Sequence, residues 1–246
     1  MATPLTVVMP VYNEEDAIEA AVDEVRQHVL GSVPGSELVV VNDGSRDRTG
    51  ALLDTAASTD DRIRVIHQAN SGHGGALIAG MRAARGDYLF LIDSDRQIEL
   101  DAFPKAWAAV QTAGHDAVFG VRRRRHDPAL RLYLSRVIRR MVQMIFGVKL
   151  TDANVPYKLF RRAVWEEARP LIPDGTLAPS LFLAIVARLR GFNILELDVV
   201  HKERDTGEVS IRRLKLLKFC ARGLSQMLEL RRRLSRRRPQ AKADVR

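Results

Sequence analysis

Short, β-branched apolar runs alternate with amphipathic stretches of helical length through the first half of the chain, and each run ends in a polar loop. Leu5 to Met9, Glu37 to Asn42, Arg62 to His67, Tyr88 to Ile92 and Asp116 to Gly120 read as strands. Helices are expected near Glu14 to Val29, Asp47 to Ser58, Gly74 to Ala84 and Asp101 to Ala113. Such alternation predicts βαβ units and an α/β fold with a mostly parallel sheet. Open parallel sheets bind ligands beyond the carboxyl ends of their strands. Those ends are Pro10-Val11-Tyr12-Asn13-Glu14, Asp43-Gly44-Ser45, Asn70-Ser71-Gly72-His73-Gly74 and Asp93-Ser94-Asp95, so four loops are expected to line one crevice.

With 246 residues, 46% of them hydrophobic, the chain can build one full-sized α/β domain or two small ones. No window approaches the roughly 18 uninterrupted apolar residues of a membrane-spanning helix. The start, Met1-Ala2-Thr3-Pro4-Leu5, lacks a charged region ahead of an apolar stretch, so no signal peptide is expected either. A single cysteine, Cys220, and six histidines without a two-His metal spacing exclude disulfide scaffolds and zinc modules and fit a reducing compartment.

The net charge of +9 is unevenly spread. Residues 211–246 hold 13 Lys/Arg against Glu229 and Asp244, whereas residues 1–210 hold 26 Lys/Arg against 28 Asp/Glu. The excess therefore sits at the C-terminal end, culminating in Arg231-Arg232-Arg233 and Arg236-Arg237-Arg238. It suits a polyanionic neighbour, either nucleic acid or an anionic membrane surface, or else a solvated tail. Ile211, Leu214, Leu217, Ala221, Leu224 and Leu228 form one stripe with basic residues interleaved, the pattern of an amphipathic helix lying in a membrane interface. The alternative is that this stripe packs on the protein's own core.

After Gly120 the pattern changes to Arg122 to Arg125 and then a helix with Leu130, Leu134, Val137, Ile138, Met141, Val142 and Ile145 on its apolar face. Arg131, Ser135 and Arg139 recur at i, i+4 and i+8, with Arg136 and Arg140 beside them. Guanidinium groups and a hydroxyl one turn apart can hold a phosphate, or can form a solvated helix face. Helices around Ala163 to Arg169 and Pro179 to Arg190 lead to a strand near Ile194 to Val200, and Arg188 and Arg190 read as C-terminal helix charges.

Two constellations carry chemistry. Asp93 and Asp95 follow an apolar strand, and carboxylates at i and i+2 project from one side of an extended chain. Magnesium or manganese typically joins one or two such carboxylates to substrate phosphates, so the pair, backed by Gln97, suits a diphosphate clamp. The competing role is helix capping, for which Asp101 is better placed than Asp95. Asn70-Ser71-Gly72-His73-Gly74-Gly75 is glycine-rich but matches neither the lysine-bearing P-loop nor the dinucleotide fingerprint. Its glycines serve either tight backbone turns or an approach to phosphate or sugar.

Taken together, Pro10-Val11-Tyr12-Asn13-Glu14-Glu15, Val41 to Thr49, Asn70 to Gly74 and Asp93-Ser94-Asp95-Arg96-Gln97 resemble the ordered motifs of family 2 glycosyltransferases with the GT-A fold. The match covers residues 5 to about 210. Thr151-Asp152 through Arg161, followed by His201 to Ser210, is similar to the dolichyl-phosphate mannose synthase branch, which moves a sugar from a nucleotide donor to a polyprenyl phosphate. The resemblance implies a catalytic domain over 1–210; the charge pattern sets 211–246 apart as a basic amphipathic extension expected to hold the protein at the cytoplasmic face of a membrane.

By position, Pro10, Tyr12, Glu14 and Asp43 would contact base and ribose of a GDP- or UDP-hexose. Asp93, Asp95 and Gln97 would hold Mg2+ or Mn2+ and the diphosphate, and Arg204 and Ser210 would close over the phosphates. Arg122, Arg131 and Ser135 would receive the acceptor phosphate. His73 stands where many relatives carry Lys, and Ile98-Glu99 replaces the usual residues after the glutamine. Asp152 would orient arginines or sugar hydroxyls, or serve as a base for a hydroxyl acceptor.

Many hydroxyl-directed relatives carry an acidic pair ahead of the helix that here reads Ala178-Pro179-Ser180-Leu181-Phe182, and no carboxylate stands there. A phosphate monoester is largely anionic at pH 7 and attacks without a strong base. The absence therefore favours a lipid phosphate over the rival acceptor, a sugar or small-molecule hydroxyl. Low aromatic content and the lack of a recognition motif argue against a nucleic-acid-binding protein.

Overall fold

The computed structural model describes residues 3–122, 129–152, 155–202 and 213–236, with the side chains of 129–133 and 213–220 outside that description. Seven strands form one sheet: β1 (Leu5–Val11), β2 (Glu37–Asn42), β3 (Ile63–His67), β4 (Tyr88–Ile92), β5 (Ala117–Arg122), β6 (Tyr157–Arg161) and β7 (Ile194–Val199). Their order is β3-β2-β1-β4-β6-β5-β7. Strands β3, β2, β1 and β4 pair in parallel, as do β5 and β7, while β6 runs antiparallel to both β4 and β5.

Among the described residues, eight α-helices flank the sheet: α1 (Ile18–Val25), α2 (Thr49–Thr59), α3 (Gly72–Ala83), α4 (Phe103–Gln111), α5 (Ala129–Phe146), α6 (Arg162–Ala168), α7 (Pro179–Leu189) and α8 (Arg213–Arg236). Every residue of β1 and β2 is buried, as expected for central parallel strands with helices on both faces. Side chains alternate between two cores. Val7, Met9 and Phe90 pack with α1, Leu53 and Phe103, while Val8, Leu89, Leu91 and Phe119 pack with α3, α6 and α7. At the amino edge, buried Glu37 accepts from Thr6 Oγ1 and Arg64 Nη1, each at 2.7 Å.

The sequence reading differs in three places. It assigns no strand to β6, because Lys158 interrupts a run of only five residues, yet Lys158 is fully buried. The first helix starts at Ile18 rather than Glu14, because residues 13–15 are held by hydrogen bonds to the loop after β2. Asp101 does not cap α4: it lies in a preceding 3-10 turn, Leu100–Ala102, with its carboxylate 3.7 Å from His28. Arg188 and Arg190 stand at the C-terminal end of α7 as expected, and also pair with Glu196 and Glu167, each at 2.7 Å, tying α7 to β7 and α6.

Helix α8 carries two apolar stripes. Met227 and Leu230 are buried in the core beside α7, with Leu234 packed against it. Ala221, Leu224 and Leu228 face outward. The stripe read from the sequence is thus the outer one over its described part, and Ile211, Leu214 and Leu217 lie outside the described side chains. Among the described residues no helix is long and apolar enough to cross a membrane. Leu230→Ala should lower unfolding free energy by about 2–4 kcal/mol. Leu228→Ala should change it by less than about 0.5 kcal/mol, as urea denaturation would show.

Candidate active site

The sheet reverses its winding between β1 and β4, which opens a crevice at their carboxyl ends. A cleft of about 400 Å3 lies there, lined from all four loops by Pro10, Val11, Tyr12, Glu14, Asp43, Asn70, Gly72, His73, Asp93, Ser94 and Asp95. Tyr12 is 44% exposed, its ring available to a planar ligand.

Hydrogen bonds between loops fix one wall. Asn13 N donates to Ser45 Oγ at 3.0 Å, Glu14 N to Thr49 Oγ1 at 2.9 Å and Glu15 N to Asp47 Oδ2 at 3.2 Å. Partial burial opposes ionisation of Asp47, but bonds from Thr49 and Glu15 outweigh it and lower its pKa. Asp47 is therefore a brace between loops. Asp43 is buried, and its Oδ1 accepts from Gln68 Nε2 at 2.7 Å and Ser71 N at 2.8 Å.

Asp93 and Asp95 enter the cleft from the end of β4. Asp93 Oδ1 lies 2.9 Å from His73 Nε2, and Asp95 Oδ1 accepts Gln97 N at 3.1 Å across a turn that holds Arg96 at φ +55°. Partial burial pulls His73 toward neutrality, but its bond to Asp93 and the charges of Asp93, Asp95 and Asp43 prevail and raise its pKa. Two part-exposed carboxylates fit a magnesium or manganese ion that takes its other oxygens from a diphosphate and water. Among the described residues no group of three or more His, Cys, Asp or Glu side chains is arranged to hold a metal alone. Gln97 lies just past the lining, its carbonyl accepting Lys202 N at 2.8 Å. Arg204 and Ser210 lie outside the described residues.

The glycines of the 70–75 loop serve different ends. A Cβ on Gly74 would overlap Thr176 O, where the chain entering α7 presses on α3. Gly72, at φ +79°, has open space around it and lines the cleft.

Of the acceptor residues named from the sequence, Arg122 ends β5. Arg122 grips Asp152 with Nε to Oδ2 at 2.8 Å and Nη2 to Oδ1 at 3.1 Å, both side chains nearly buried. Ser135 is half-buried on α5, and the side chain of Arg131 lies outside the described residues. Strand β6 lies between this pair and Asp93, a separation of two strand spacings, about 10 Å.

Sequence reasoning missed Lys158. Its Nζ donates to Val155 O at 2.7 Å and sits 5.6 Å from the Phe119 ring centroid. Burial pushes the amine down to about 7; the charges of Asp152 and Asp93 oppose that shift and Arg122 adds to it. A lysine amid an apolar strand signals the position, but its burial follows only from the pairing of β6 on both sides.

A nucleotide-sized cleft at the switch point, with paired carboxylates at a strand end, defines a transferase-type α/β domain of the GT-A fold. Residues 6–169 match the family described as Glycosyl transferase family 2, and the chain belongs to it. Undecaprenyl-phosphate 4-deoxy-4-formamido-L-arabinose transferase of Shewanella sediminis is 32% identical over 213 residues, 83% of this chain and 60% of that protein. The same-named protein of Pseudomonas fluorescens is 33% identical over 225 residues, 87% of this chain and 62% of that protein. The chain thus spans about three fifths of the length of these curated relatives. Glucosyl-3-phosphoglycerate synthase from Mycobacterium tuberculosis, solved with UDP, superposes with a TM-score of 0.68 at 20% identity, covering 92% of this chain and 80% of that one.

Lys158→Met should stabilise the fold. Because the buried amine has its pKa lowered to about 7, the unfolded chain binds more protons from there up to about 10.5. Lys158 therefore costs most below pH 7, and its cost fades as pH rises. Replacement by an apolar side chain of similar volume is expected to gain about 1–3 kcal/mol at pH 6 and less at pH 9. Denaturation at the two pH values checks both the sign and the trend.

Proposed function

We propose that the chain catalyses inverting transfer of a hexose from a GDP- or UDP-linked donor to a polyprenyl phosphate at the cytoplasmic face of a membrane. The observation that carries the lipid-phosphate acceptor is the start of α7, Ala178-Pro179-Ser180, which offers no carboxylate to deprotonate a hydroxyl. The names of the relatives, which specify an undecaprenyl phosphate, support the same acceptor. Their sugar is a formamido-arabinose; a product carrying it would replace the hexose and leave the acceptor reading intact.

In this reading Pro10, Tyr12, Glu14 and Asp43 hold base and ribose. Asp93, Asp95 and Gln97 hold Mg2+ or Mn2+, which when bound neutralises the diphosphate and its developing charge. Solved neighbours with Mn2+ and UDP-glucose are consistent with a divalent ion. Arg204 and Ser210 close over the phosphates. Arg122, fixed by Asp152, joins Arg131 and Ser135 in seating the acceptor phosphate, and the bidentate pair favours an orienting role for Asp152 over that of a base. An acceptor oxygen forms a bond to the anomeric carbon as the bond from that carbon to the diphosphate oxygen breaks. The nucleoside diphosphate leaves and the anomeric configuration inverts. Residues 1–210 form the catalytic unit, and the basic extension 211–246 meets anionic lipid through the outer face of α8.

Incubation of purified protein with labelled nucleotide sugars, a polyprenyl phosphate and manganese should place label in an organic extract. A polyprenol lacking the phosphate should accept little, and its efficient use would overturn the proposal. Chelation of divalent ions, or Asp95→Ala, should lower turnover at least about 100-fold, equivalent to about 3 kcal/mol. Arg131→Ala should raise the KM for lipid phosphate with donor affinity nearly unchanged, as equilibrium nucleotide binding would show.

A further inference from the structure

Helix α5 carries a second basic feature, one turn along from Ser135. It ends at Phe146, and Gly147, in the left-handed region at φ +72°, reverses the chain so that Lys149 to Thr151 runs back along the helix. Arg139 Nη1 fastens this return by donating to Thr151 O at 2.9 Å. The result is a groove of about 360 Å3 lined by Arg136, Arg139, Arg140, Gln143, Lys149 and Leu150.

Four cations line this groove and no carboxylate does. Arg136 and Arg140, one turn apart, repel each other. Among the described residues, Arg136, Arg140 and Lys149 make no ion pair. Nearby Glu196 is engaged by Thr151 Oγ1 at 2.6 Å and Arg188 Nη2 at 2.7 Å. Such convergence of like charge is unfavourable in the free protein and is relieved by an anion.

One turn beyond Arg140 stands Met144, 77% exposed. An apolar side chain beside a cluster of cations matches the boundary between headgroups and acyl chains. Helix α8, packed against α5, exposes Leu224 and Leu228 beside Arg231 and Arg232, the same pairing of apolar and basic groups.

We infer that the groove on the outer face of α5 binds the phosphate headgroups of anionic phospholipid, with Met144 dipping toward the acyl chains. The inference rests on the membrane-surface reading above and adds a contact independent of the C-terminal basic segment. It lays α5 along the membrane, so that Ser135, on the adjoining face of the helix, is held at the level where an acceptor's phosphate lies.

The test uses the full chain carrying Met144→Cys and Cys220→Ser, labelled at position 144 with an environment-sensitive fluorophore. Vesicles rich in phosphatidylglycerol should shift the emission to the blue, and pure phosphatidylcholine vesicles should not. Arg140→Ser with Lys149→Ser should abolish the shift and weaken vesicle binding about tenfold, while other basic surfaces still let the protein sediment with vesicles. Sedimentation of the labelled parent without a spectral shift would place this face away from the bilayer and overturn the inference, with the membrane reading intact. Failure to sediment at all would remove both. Loss of the shift on adding millimolar inorganic phosphate at constant ionic strength would identify a free-anion site and overturn the lipid assignment.

Discussion

Strand β6 is the constraint on which the rest of the site geometry depends. Its five residues pair antiparallel with β4 on one side and β5 on the other, so they hold those two strands two spacings apart. Because β6 runs against its neighbours, its first residue, Tyr157, pairs with Ile92 at the carboxyl end of β4. The segment before it, with Asp152, is thereby delivered to the edge where ligands bind. A parallel strand here would have sent that segment to the opposite edge, and Arg122 would have lost its carboxylate partner. Lys158, second in β6, donates to Val155 O and so ties the strand to the loop it delivers. A methionine would fill the same space at lower electrostatic cost but would leave Val155 O without this donor.

The donor side is built by different means. Loops after β1 and β2 are joined through backbone amides that donate to Ser45, Thr49 and Asp47, and such bonds fix the main chain rather than long side chains. Two non-glycine residues with positive φ, Asn13 and Arg96, sit at strand ends in this wall. Asn tolerates that conformation; for Arg96 it costs about 1 kcal/mol or more. The Arg96 to Glu24 ion pair at 2.9 Å is half-exposed on the arginine side and returns at most about 1 kcal/mol. The turn is therefore held chiefly by its neighbours: Asp95 accepts Gln97 N, and Gln97 and Glu99 pair with Lys202 and Val200.

Much of this was legible in the sequence. The strands that bury both faces, β1, β2 and β4, announce themselves as continuous apolar runs, and the four polar loops after β1 to β4 meet in one cleft as their positions implied. What escaped was set by tertiary context. A buried lysine hides a strand from any reading of apolar periodicity, and the start of α1 is displaced by bonds to a loop more than thirty residues away. The glycines of the 70–75 loop look like a phosphate cradle, yet Gly74 is required because Thr176 O lies where a side chain would begin. Helix α8 shows the same limit: two apolar stripes are visible in its sequence, and only packing against α5 and the core tells which is inward.

Charge divides the molecule in a way that composition alone obscures. The cleft gathers Glu14, Asp43, Asp93 and Asp95, whose negative charge raises the pKa of His73 against the pull of burial. A nucleoside diphosphate entering it meets like charge. At an effective dielectric of about 20, two unit charges 4 Å apart interact by about 4 kcal/mol, so binding requires positive charge brought in with the ligand or folded over it. A divalent ion at Asp93 and Asp95, with Arg204 from beyond the described residues, is the supply proposed. Arg122 lies on the other side of β6, where the proposed acceptor phosphate would meet a guanidinium group rather than a metal. In that reading, opposite potentials about 10 Å apart let one sheet edge keep two phosphorylated substrates in separate seats.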